Sequence, residues 1–73
     1  MEKKFNAASF GKHIQRKRNY AKMSLDELAK ETGISKATIS RVENGNKPDI
    51  DTAVTLSHWY GVGIEFFIDN PQL

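Results

Sequence analysis

The sequence predicts an all-α domain: five short helices in a compact arrangement, with helices 2 and 3 joined by a tight turn. Three observations predict it. Residues 24–45 alternate helix caps, apolar positions and helix stops in the order that two consecutive short helices need. Apolar residues elsewhere fall at helical spacing, as Phe10 and Ile14 do in the first third. Glycine, asparagine and proline gather where those runs break, at Asn44 to Pro48, at Gly61 and at Asn70-Pro71. A chain of 73 residues makes one domain, and a core of that size gains stability from pairing. The ordered part is expected over about 6–69, after a polar, frayed lead from Met1 to Phe5.

Helix 1 is expected from Ala7 to Tyr20, capped by Asn6. Helix 2 spans 25–32. Ser24 with Glu27 three residues on is the pattern of a reciprocal N-terminal cap. Gly33 stops it, because glycine enters the left-handed conformation without a Cβ clash. Ser35 caps helix 3, expected over 36–44, in which Ile39 and Val42 share one face. Helix 4 begins after Asp49 or Asp51 and ends near Tyr60, before Gly61; helix 5 covers 64–69 and is stopped by Asn70-Pro71. No strand is expected. The predicted core is Phe10, Ile14, Leu28, Ala29, Ile34, Ile39, Val42, Ile50, Ala53, Leu56, Tyr60, Val62, Ile64 and Phe67.

Helix 3 is the informative element. With Ile39 and Val42 inward, its other side carries Lys36, Ala37, Ser40 and Arg41, a single outward strip. One methyl, one hydroxyl and two long cations suit the base edges of a major groove, where cations meet guanine acceptors and a methyl meets thymine. Thr38 lies at the edge of the strip, within reach of phosphate. The unpaired N–H groups of a helix start attract phosphate oxygen, which makes Ser24 and Leu25 candidates at helix 2. Asn44, Asn46 and Lys47 are further phosphate candidates in the following loop, although turn chemistry alone would account for Asn44 and Asn46.

Charge is uneven. Residues 1–23 carry seven Lys/Arg against one acid, a balance of +6; residues 24–50 carry −1 and residues 51–73 carry −3. A basic pole opposite an acidic one lets one side face phosphates. Lys12, Arg16 and Lys17 offer general attraction of that kind, or form a solvated face. Cysteine is absent, so neither a disulfide nor a thiolate metal site is expected. His13 and His58 are isolated, and no metal or other cofactor is assigned. No nucleophile–base constellation, phosphate-cradling glycine loop or carboxylate pair points to an enzyme. No apolar run approaches the roughly 18 residues of a membrane span, and no secretory signal is legible.

The segment Ser24-Leu-Asp-Glu-Leu-Ala-Lys-Glu-Thr-Gly-Ile-Ser-Lys-Ala-Thr-Ile-Ser-Arg-Val-Glu-Asn-Gly45 resembles the helix-turn-helix of the Cro/phage-repressor (XRE-type) family of bacterial and phage regulators. The resemblance extends over residues 9–69. Phe10-Gly11-Lys12 through Arg18 resembles the family's first helix, Pro48 to Thr52 the start of its fourth, and Tyr60 to Phe67 the joint into its fifth. It implies a lambda-repressor-like fold and sequence-specific binding of double-stranded DNA. The implied function is a repressor that reads a pseudo-palindromic operator as a homodimer in the cytoplasm. It also implies an ion pair between Arg18 and Glu43, and a dimer surface near Trp59 and Phe66. The family often has glutamine where this chain has Leu25, so only the Leu25 backbone is left to meet phosphate. Two alternatives stand beside this: a protein-interaction module, antitoxin-like or an adaptor with a protein partner, and a restriction–modification controller.

Overall fold

A computed structural model of the chain describes residues 4–69. Among them lie four α-helices, one 3₁₀ turn and two very short strands. In chain order these are β1 (Lys4–Phe5), α1 (Ala7–Tyr20), α2 (Leu25–Thr32), α3 (Lys36–Glu43), α4 (Ile50–Tyr60), the 3₁₀ turn (Ile64–Phe67) and β2 (Ile68–Asp69).

Caps set the helix limits. The Asn6 side chain accepts from the Ser9 N–H at 2.9 Å and starts α1. At α2 the cap is reciprocal: Ser24 Oγ accepts from the Glu27 N–H at 3.0 Å, and Glu27 Oε1 accepts from the Ser24 N–H at 2.7 Å. Gly33 ends α2 at φ +76°, a conformation in which a Cβ is strained. Ser35 and Asp49 cap α3 and α4 by accepting from the Thr38 and Thr52 N–H groups.

The core is Phe10, Ile14, Leu28, Ile39, Val42, Ala53, Leu56 and Phe67, all buried. Ala29, Ile34, Tyr60, Val62 and Ile64 are half-buried and pack against it. Gly11 determines how closely α1 approaches α3. A Cβ built there would lie 2.1 Å from the Val42 carbonyl oxygen, so no side chain fits without moving backbone.

Four expectations are corrected. The fifth helix is a four-residue 3₁₀ turn over 64–67, not a helix over 64–69, because Ile68–Asp69 leaves it for a strand. Strands are present: β1 pairs antiparallel with β2, Lys4 opposite Asp69 and Phe5 opposite Ile68. Lys4 and Phe5 are therefore not frayed. The Phe5 ring meets Phe10 edge-on at 5.1 Å, and Phe10 meets Phe67 at 4.7 Å, which joins the two ends through aromatic packing. Finally, Ile50 is 67% exposed rather than part of the core. Helical side chains lean toward the N-terminus, so at the first position of α4 this one projects past the end of the helix. Residues Met1 to Lys3 and the Asn70-Pro71 stop lie outside the described residues.

Candidate nucleic-acid interface

The inner side of α3 is fixed by packing and by charge. Ile39 and Val42 are buried against the core. At its C-terminal end Glu43 takes a two-pronged contact from α1: Arg18 Nε donates to Oε2 at 2.7 Å and Nη2 donates to Oε1 at 3.0 Å. Arg18 Nη1 also donates to the Met23 carbonyl at 2.8 Å. The side chains are only 13% and 5% exposed. The hydrogen bond to Glu43 raises the Arg18 pKa above its ordinary value, against the opposing effect of burial. This pair ties α3 to both α1 and the α1–α2 turn.

The outer side is open. Lys36, Ala37 and Arg41 are exposed, and Ser40 is half-buried at the border of the strip. The two cations have partners of their own. Lys36 Nζ lies 3.6 Å from Asp26 Oδ1 on α2, with both side chains largely in water. Arg41 Nη2 donates to Thr38 Oγ1 at 3.3 Å. Thr38 Oγ1 also accepts from Ser35 Oγ at 2.9 Å.

The phosphate candidates divide. Ser24 is exposed at the start of α2, but its hydroxyl already caps that helix. Leu25 is half-buried with its side chain against the core, so its backbone alone faces outward chemistry. Asn46 is committed to the end of α3: its Nδ2 and its backbone N–H both donate to the Arg41 carbonyl at 3.1 Å. Asn44 caps α3 through its backbone, while its exposed side chain has no partner among the described residues. Lys47 is exposed. A small hollow runs between the end of α3 and the start of α4, lined by Thr38, Arg41, Asn46 and Lys47 with Asp49 and Thr52 opposite. The Thr52 backbone N–H, followed by its side chain, holds the Asp49 carboxyl below its usual pKa, so this wall of the hollow stays negative.

The basic first third is less available than its composition suggests. Arg18 is spent on Glu43. Lys17 is spent on α4: Nζ donates to the Trp59 and Tyr60 carbonyls at 2.9 and 3.0 Å and lies 4.9 Å from the Trp59 ring centroid. A cation at a helix C-terminus meets its unpaired carbonyls and the negative end of its dipole. Lys17 is therefore neither a solvated cation nor a free phosphate contact, whereas Lys12 and Arg16 remain exposed. No sequence signal distinguished Lys17 from its neighbours, since its partners are 42 and 43 residues away.

The two aromatics expected at a dimer surface stand differently. Trp59 is half-buried, and its Nε1–H donates to Glu31 Oε2 at 3.0 Å. Phe66 is 59% exposed, with one edge against Phe67. Tyr20, the last residue of α1, is 90% exposed.

A family model described as helix-turn-helix matches residues 14–67, from the middle of α1 to the end of the 3₁₀ turn. The chain belongs to the Cro/phage-repressor (XRE-type) helix-turn-helix family. It is a DNA-binding regulator by that membership, and α2 and α3 lie within the matched residues. Neither the curated proteins nor the solved structures hold a match to it. No helix among the described residues is long and apolar enough to cross a membrane, and no cluster of metal-binding side chains occurs among them.

Proposed function

We propose that this protein is a transcriptional repressor that binds a pseudo-palindromic operator as a homodimer. Lys36, Ala37, Ser40 and Arg41 read base edges. The Ser24 hydroxyl, which caps α2 as an acceptor and keeps its own proton to donate, and the Leu25 backbone N–H, together with Asn44 and Lys47, meet phosphate. One observation carries the reading: α3 is clamped from behind by Ile39, Val42 and the Arg18–Glu43 pair, while Lys36, Ala37 and Arg41 are exposed on the opposite side. A groove-reading helix needs that combination, because a loosely held rod spends its binding energy on becoming ordered.

Two copies related by a twofold axis would place their α3 helices about 34–36 Å apart, one turn of the duplex. Phe66, the exposed aromatic of the 3₁₀ turn, is the apolar centre assigned to that contact. Repression follows from occlusion of a promoter, and the protein acts inside the bacterial cytoplasm, where the operator is.

Selection of duplexes from a random pool tests the reading directly. A palindrome with half-sites one turn apart is the expected product; a pool that emerges without sequence preference would sink it. Arg41→Ala should then lose about 1–3 kcal/mol of discrimination at one base position in each half-site. Phe66→Glu should lower the sedimenting mass from dimer to monomer, and an unchanged mass removes Phe66 from the contact.

A further inference from the structure

Arg41 ends a short chain of hydroxyls that runs along the outer edge of α3. Ser35 Oγ, the cap of the helix, accepts from the Thr38 N–H at 3.2 Å and donates to Thr38 Oγ1 at 2.9 Å. Thr38 Oγ1 in turn accepts from Arg41 Nη2 at 3.3 Å. Residues three apart on a helix are neighbours, so the contact follows from the geometry of the element. Thr38 is half-buried and β-branched, which restricts its χ1, whereas Arg41 is exposed on a long flexible stem. No carboxylate pairs with the Arg41 guanidinium among the described residues. The stiff residue is thus the one that holds the mobile one, and the helix cap holds the stiff residue.

We infer that Thr38 is a positioning residue for Arg41: its hydroxyl, steadied by Ser35, sets the guanidinium in the orientation from which it addresses a base. The contact occupies one N–H of Nη2 and leaves the other donors of the fork for a guanine edge. It also changes the role of Thr38 itself. Both acceptor positions of its oxygen are taken inside the protein, one of them by Arg41, so the hydroxyl serves the side chain beside it while its own proton stays available to donate. This inference rests on the reading of Arg41 as a base contact.

The test uses the intact chain and the duplex that it selects from a random pool, together with the three duplexes altered at the base pair that Arg41 reads. Thr38→Val keeps the shape and the N–H to the Ser35 cap but removes the hydroxyl. It should lower discrimination at that base pair by about fivefold, the lower end of what a bidentate contact supplies. Affinity for unrelated duplex and the salt slope should stay as they are. Thr38→Ser should restore most of the discrimination. In an Arg41→Ala background Thr38→Val should cost nothing further at that position. Equal weakening on all duplexes, or a full effect in the Arg41→Ala background, overturns the positioning role and returns Thr38 to phosphate. If Arg41→Ala alone shows no loss at any single base pair, the base-contact reading has failed and the inference falls with it. Thermal melting of each variant within a degree or two of the parent shows that folding is not the cause.

Discussion

The two sides of α3 are held by different kinds of force. Its inner side is fixed by contacts largely shielded from water: buried Ile39 and Val42, the backbone approach of Gly11, and the two-pronged Arg18–Glu43 pair. Its outer side is organised by exposed contacts at longer range, Lys36 to Asp26 at 3.6 Å and Arg41 to Thr38 at 3.3 Å. Exposed ion pairs are worth between nothing and about 1 kcal/mol, whereas breaking a buried pair costs about 3–5 kcal/mol. The helix is thus firmly placed, and the side chains proposed to read bases are loosely placed. Lys36 can exchange Asp26 for another partner at little cost, while the rod beneath it does not move.

That contrast is open to measurement. Substitutions on the inner side should change folding, and those on the outer side should change recognition with folding intact. Gly11→Val is the most severe, since even a Cβ would meet the Val42 carbonyl at 2.1 Å. The expected outcome is loss of the cooperative melting transition. A normal melting curve would show that α1 and α3 can separate freely.

Glu43→Ala comes next. It leaves Arg18 buried without its carboxylate and should cost about 3 kcal/mol in chemical denaturation, the low end for a pair that keeps slight access to water. A cost below about 1 kcal/mol would class the clamp with the surface pairs and erase the contrast.

On the outer side, Asp26→Asn frees Lys36. Stability should move by less than about 0.5 kcal/mol. Affinity should rise for operator and random duplex together, because a negative charge near phosphate has been removed. A gain confined to the operator would mean that Asp26 influences base reading.

The smallest effect concerns pH. The Asp49 carboxyl has a depressed pKa in the folded chain because the Thr52 N–H and side chain favour its charged form. Its contribution to stability is therefore present above the unfolded pKa and is lost as pH falls through the lower, folded value. Asp49→Asn should flatten that acidic portion of the stability profile slightly. An identical profile would leave the cap without an electrostatic component.

Much of this was legible in the sequence because it depends on neighbours in the chain. The Ser24–Glu27 cap, the Gly33 turn and the pattern of Ile39 and Val42 are set within a few residues, and they place α2 and α3 correctly. The outward strip follows from the same periodicity. The resemblance to a known family pointed to Arg18 and Glu43, whose separation of 25 residues no local signal spans.

The remainder needed the folded chain. Lys12, Arg16 and Lys17 read alike as basic residues of α1, but only the meeting of α1 with the end of α4 makes Lys17 a helix cap. Asn46 reads as a phosphate candidate or a turn residue, and only the folded loop shows its amide on the Arg41 carbonyl. Ile50 continues the apolar period of α4, and it is the absence of a preceding turn to cover that leaves it in water. Residues 4–5 pair with residues 68–69, and Phe5 and Phe10 from the start of the chain pack in series with Phe67. Sequence by itself determined the four α-helices, their caps and the polarity of α3, since those depend on short-range hydrogen bonds and periodicity. Tertiary structure decided which cations remain free, how near α1 lies to α3 and how the last segment ends, because each of these is settled by what the other elements leave unpaired or uncovered.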